Sequence, residues 1–197
     1  MKTKTLAKAN SRPKGGNESK NHQRHQYIQE LNALIQSQWN YRHPKWFITI
    51  QWTPAPYEFQ AASEHARHFR NRLLTSVYSC PLRKVPGPKE RCRLIWFHER
   101  AQDPKGRLIY HSHLHLDQIP EPYATLLDLN WIINTKIAPG FKCLKNIHRK
   151  RDPAVVIKSW NRDHHGNYNL KDYYTYKHHQ DGDLVLDYAV SDLITTK

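Results

Sequence analysis

No stretch of the roughly 18 consecutive apolar residues needed for a membrane span occurs in this 197-residue sequence. The basic N-terminus also lacks the apolar stretch of a secretory signal, which argues against export. Cysteine is scarce. Cys80, Cys92 and Cys143 are odd in number and form no Cys-x-x-Cys pair, so reduced thiols in a cytoplasmic protein are expected. A Gly-x-x-x-x-Gly-Lys-Ser/Thr loop is missing too, which excludes a helicase module of that type. Acidic residues are few: 17 Asp and Glu face 31 Lys and Arg, a formal net charge of +14. That excess favours a polyanionic partner, nucleic acid being the commonest. Six Trp and eleven Tyr among the basic residues suit a single strand, whose exposed bases can stack.

Residues 1–25 carry Lys2, Lys4, Lys8, Arg12, Lys14, Lys20 and Arg24 against Glu18 alone, and read as a disordered basic arm. Residues 26–197 read as one domain. Ile28, Leu31, Leu34 and Ile35 recur at helical spacing within Gln26–Gln38. Trp46–Trp52 is rich in β-branched and aromatic residues and stops at Thr53-Pro54, as a strand does. Phe59, Ala62, Ala66, Phe69, Leu73 and Val77 form one helical stripe, with Arg67, Arg70 and Arg72 off it as candidate DNA contacts. Two strands follow, Arg93–Arg100 and Arg107–Asp117, then a helix over about Glu121–Lys136. Residues 141–160 are ambiguous, with one or two strands about a turn at Asp152-Pro153. Asn169–His179 reads as helix, and Leu184–Ile194 is too mixed to assign. The fold class is α+β: a central antiparallel sheet flanked by helices.

The chemistry concentrates in the hairpin. In His111-Ser112-His113-Leu114-His115-Leu116 the side chains alternate. Tyr110, Ser112, Leu114 and Leu116 face the core, and the three histidines share the outward face. Asp103-Pro104-Lys105-Gly106 predicts a type I turn closed by a glycine bulge. With that turn Glu99 stands opposite His111 and Phe97 opposite His113, at about 5 Å between Cβ atoms. Two imidazoles and a carboxylate in one space form a site for iron, manganese, zinc or magnesium. His98 falls on the core face, and His115, opposite Ile95, is auxiliary. A one-residue slip would exchange Glu99 for His98. The positive charge favours phosphoryl chemistry.

Asp172-Tyr173-Tyr174-Thr175-Tyr176-Lys177 supplies a candidate nucleophile. On a helix both Tyr173 and Tyr174 lie within one turn of Lys177. A phenol near pKa 10 is a weak nucleophile, and a neighbouring ammonium favours its phenolate. Taken alone, the segment also fits an aromatic helix packing into a core.

Together these segments resemble the HUH endonucleases, in particular the replication initiators of rolling-circle plasmids and small circular DNA viruses. Phe47-Ile48-Thr49-Ile50 resembles the first-strand motif, His111-Ser112-His113-Leu114-His115-Leu116 the His-hydrophobe-His motif, and Tyr174-Thr175-Tyr176-Lys177 the Tyr-x-x-Lys motif. Ser112 departs from the usual apolar residue. The register His113-Leu114-His115 fits that position better, but Asp117-Gln118 rather than an apolar run follows it, and it moves the pair away from Glu99. The resemblance spans about residues 46–180. It implies metal histidines on a middle strand and nicking and joining of single-stranded or hairpin DNA through a 5′-phosphotyrosine. It further implies Mg²⁺ or Mn²⁺ on His111, His113 and Glu99, nucleophilic Tyr174 (or Tyr173), Lys177 in support, and a host helicase and polymerase as partners. Single-tyrosine transposases share the motif order, and a non-catalytic DNA- or RNA-binding protein is the rival outside the enzymes.

Overall fold

β-Branched and aromatic residues form the first strand, β1 (Trp46–Ile50), which lies in a five-stranded sheet with β2 (Leu94–Gln102), β3 (Leu108–Leu116), β4 (Val155–Ser159) and β5 (Leu184–Leu186). The spatial order is β4-β1-β3-β2-β5, and every neighbouring pair is antiparallel. The histidine strand β3 is therefore in the middle. The computed structural model describes residues 16–144, 154–166 and 184–194. The chain divides into two compact units, Met1–Ser37 and Gln38–Lys197, and the sheet belongs to the second.

The turn sets the register as its sequence requires. Gly106 adopts φ +75°, a conformation that penalises a Cβ. Its N–H donates to the Asp103 carbonyl at 2.8 Å, and the Asp103 N–H donates to the Arg107 carbonyl at 2.8 Å. The Asp103 carboxylate accepts the N–H groups of Lys105 and Arg107, each at 2.9 Å. These bonds, Arg107's backbone N–H foremost, hold the Asp103 carboxyl below the usual range. From this start Glu99 pairs with His111 and Phe97 with His113, as the turn chemistry predicts.

Strand periodicity sorts the sheet into two faces. Trp46, Ile48 and Ile50 of β1, Leu94 and Trp96 of β2, and Leu114 and Leu116 of β3 form one apolar face. Helix α2 (Phe59–Val77) covers that face with Ala66, Phe69, Leu73, Leu74 and Val77, and α3 (Leu126–Ile132) adds Leu129 and Ile132. Each fully buried Phe or Leu among these contributes about 1.5–3 kcal/mol. The opposite face carries Phe47, Thr49, Phe97, Glu99, His111, His113 and His115.

Element limits differ from the sequence expectations: β1 ends at Ile50 rather than Trp52, β2 runs on to Gln102, and the larger differences lie elsewhere. Helix α1 (Gly16–Tyr41) starts ten residues before Gln26, inside the segment expected to be a disordered arm. Helix α3 starts at Leu126 rather than about Glu121. Thr125 accepts the Asp128 N–H while Asp128 accepts the Thr125 N–H, a reciprocal cap that fixes the helix start. Within 141–160 the described strand is β4. The unassigned Leu184–Ile194 holds β5 and a turn whose Asp187, Ser191 and Asp192 bond back to β2 and its approach.

Candidate metal centre

Glu99, His111 and His113 come together from the two strands of the hairpin, with ligand atoms all within 4.8 Å of one another. Glu99 Oε2 lies 2.8 Å from His111 Nε2 and 2.9 Å from His113 Nε2. His113 and Glu99 are nearly enclosed, whereas His111 keeps 23 % of its side chain exposed, so the site opens on the His111 side. The donor set fits a divalent cation: two imidazole nitrogens and a carboxylate oxygen converge, and both histidines line a cavity. That cavity, about 540 Å³, is lined by His111, His113, Thr49, Phe47 and residues of the β4 side.

The strand pairing β1–β3 adds a group that sequence reasoning passed over. Thr49 sits directly opposite His113, and its Oγ1 lies 3.2 Å from His113 Nδ1. With Nε2 given to a metal, Nδ1–H would donate to this hydroxyl, and without one the hydroxyl can donate instead. Such a partner fixes ring orientation and basicity. Thr49→Val is expected to lower Mn²⁺ affinity 10- to 100-fold in calorimetric titration, with the circular dichroism spectrum unchanged. The central Thr of Phe47-Ile48-Thr49-Ile50 was the available signal, but its meaning depends on the β1–β3 pairing.

The histidine face is less open than alternation alone suggests. His115 shares it, yet its ring is buried against Trp39, Phe97 and Trp160 and its Nδ1 accepts the Trp39 indole N–H at 3.1 Å. Burial, then the neighbouring His113 and His165, hold its pKa well below the ordinary value. His115 is thus a core histidine outside the Glu99–His111–His113 group.

His98 lies on the core face, as its position requires. Its Nδ1 is 2.8 Å from Ser112 Oγ and its Nε2 is 3.0 Å from Asp187 Oδ2. Ser112 also accepts the Trp52 indole N–H at 2.8 Å. One proton per link satisfies this chain: Trp52 to Ser112, Ser112 to His98, His98 to Asp187. Burial pulls the Asp187 carboxyl upward, but hydrogen bonds from His98 and Ser63 outweigh it and leave it below the usual range. The array has the composition of a hydrolase triad, but Ser112 and His98 are fully buried and Asp187 is 1 % exposed. No substrate can reach them. Their role is to tie the hairpin to the chain after β5, and Ser112 between the two candidate ligand histidines is thereby explained.

The candidate arginines are not brought to the triad. Arg67, Arg70 and Arg72 belong to α2, on the opposite face of the sheet. Arg67 is exposed, Arg70 pairs with Asp192 at 2.8 Å, and Arg72 donates to the Lys136 carbonyl at 3.2 Å. Tyr173, Tyr174 and Lys177 lie outside the described residues, as does the expected helix Asn169–His179. Among the described residues no helix is long and apolar enough to cross a membrane.

No protein-family model, no curated protein and no solved structure matches this chain. Fold and site define its class: an α+β protein with a candidate metal-binding triad of two middle-strand histidines and a glutamate from the neighbouring strand of an antiparallel sheet.

Proposed function

We propose that this protein is a metal-dependent enzyme that nicks and rejoins single-stranded DNA, an HUH-type initiator of rolling-circle replication. The observation that carries the reading is the convergence of Glu99 of β2 with His111 and His113 of the middle strand, both histidines lining a cavity. The order of the Thr49, His111–His113 and Tyr174–Lys177 motifs supplies the rest. The triad would hold Mg²⁺ or Mn²⁺, which when bound withdraws charge from the scissile phosphate.

The chain's own groups then have distinct tasks. Tyr174 gives up its phenolic proton and forms an Oη–phosphorus bond as the bond from phosphorus to the 3′-oxygen breaks. The 3′-oxygen takes up a proton and becomes a primer end for a host polymerase, with a host helicase opening the duplex. One phosphodiester replaces another, so rejoining needs no outside energy source. Lys177 stabilises the phenolate or the phosphate charge. Thr49 keeps the His113 ring in place. Arg67 and the basic residues of 1–25 would make salt-sensitive backbone contacts, whereas Arg70 and Arg72 already have protein partners.

The test is incubation of the full chain with Mn²⁺ and a single-stranded hairpin oligonucleotide. A covalent protein–DNA adduct is expected, mapped by mass spectrometry to Tyr174 and lost in Tyr174→Phe. Loss in Tyr173→Phe instead reassigns the nucleophile. Binding without an adduct overturns the enzyme reading in favour of a binding protein, and joining of two specific ends in a strand-transfer assay would indicate a transposase.

A further inference from the structure

The cavity wall across from the triad has chemistry of its own. Lys158 of β4 pairs with Phe47 of β1, which puts its side chain on the triad's face, and it lines the cavity. After β4 comes a single wide turn, Arg162–Gly166, fastened by Asn161. The Asn161 carbonyl accepts the His165 N–H at 2.8 Å, and its Oδ1 accepts the His164 N–H at 3.1 Å. The Asn161 N–H in turn donates to His165 Nδ1 at 2.9 Å.

That last bond fixes the chemistry of His165. With Nδ1 accepting, the ring proton sits on Nε2, the remaining polar atom of a side chain that lines the cavity. The residue is 6 % exposed, and its ring lies flat on Phe47 at 4.4 Å and 10°. Phe47 is itself stacked on His113. His165 Nε2 has no hydrogen-bond partner among the described residues. Burial, then His164, then the Lys158 ammonium hold its pKa below the ordinary value. None of the residues lining the cavity is acidic. A second metal site is a poor match, because Nδ1 is taken and the triad is the one candidate ligand group among the described residues.

We propose that Lys158 and His165 form a phosphate subsite that receives a backbone phosphodiester of a single strand, next to the one held at the triad. An oriented N–H donor beside an ammonium, in a cavity free of carboxylates, is suited to a phosphate oxygen. Nucleic acid as the occupant rests on the nuclease reading; affinity for a phosphate group does not. A cavity of about 540 Å³ has room for such a segment.

The test uses the full chain without divalent metal and a fluorescein-labelled oligothymidylate, read by anisotropy over a range of salt. Lys158→Gln should weaken binding about tenfold and reduce the slope of log affinity against log salt by about 0.7. His165→Phe keeps the stack on Phe47 but removes the donor, and should weaken binding several-fold without changing that slope. His165→Gln, which restores a donor at a similar reach, should recover most of the loss. Mn²⁺ affinity should be unchanged in all three. Wild-type strand binding by Lys158→Gln, an exposed change that does not threaten folding, overturns the subsite. If the wild type binds no strand, inorganic phosphate is titrated against the His165 imidazole NMR signal. A shift that Lys158→Gln abolishes upholds the phosphate subsite and overturns the nucleic-acid occupant; no shift overturns both.

Discussion

His113→Ala should lower Mn²⁺ affinity by more than 100-fold and abolish adduct formation with DNA. Loss of a group that merely orients a ligand costs 10- to 100-fold, and His113 is a candidate ligand whose Nε2 faces Glu99 Oε2 at 2.9 Å. Little else can take its place. His115 is two residues along the same face, but its Nδ1 is occupied by Trp39 and its ring is enclosed. Glu99→Gln should have a comparable effect, because an amide lacks the charge that holds two imidazoles around a cation. Glu99 Oε2 faces both Nε2 atoms, so each ring must present a bare Nε2 to a cation, its proton held on Nδ1 instead. Protonated imidazole and carboxyl groups cannot ligate, so affinity measured by calorimetric titration should rise with pH. His115→Gln is the informative control: it should lower stability while leaving Mn²⁺ affinity within a few-fold of wild type.

Asp192→Ala is expected to destabilise the protein by about 3–5 kcal/mol. Asp192 Oδ1 accepts from Arg91 at 2.6 Å and Arg70 at 2.8 Å, and Oδ2 accepts from Arg91 at 2.6 Å and the Leu94 N–H at 3.1 Å. The Arg91 side chain is 3 % exposed. Removing the carboxylate leaves a buried guanidinium without its counter-charge, together with a backbone donor at the start of β2. Urea denaturation should show the loss as a lower midpoint at constant slope. The double replacement Arg91→Met with Asp192→Leu should recover much of it, since the buried charge goes with its partner.

The hairpin was legible in the sequence because its determinants are local. Four residues, Asp103 to Gly106, fix the turn, the turn fixes the register, and period-two alternation does the rest. The α2 stripe was legible for the same reason, and its limits match Phe59–Val77. What stayed hidden depends on partners far along the chain. Thr49 matters only once β1 lies beside β3, and Ser112 makes sense only when Asp187, about 75 residues later, comes to rest against His98. The strands β4 and β5 are short and sit at the sheet edges, where side-chain patterning is weakest. His165 gave no sequence signal at all, since its orientation is set by a single backbone N–H. The arginines off the α2 stripe were recognised as polar, but charge cannot say which face of a sheet a helix will cover.

The hydroxyl of Ser112, between the two candidate ligand histidines, constrains how this sequence can drift. An apolar residue at position 112 would strand His98 Nδ1 and the Trp52 indole N–H, both in a place water cannot reach. Asp187 would keep the Ala189 and Val190 N–H groups. In diverged descendants of this chain, Val or Leu at 112 should therefore travel with changes at 98 and 52.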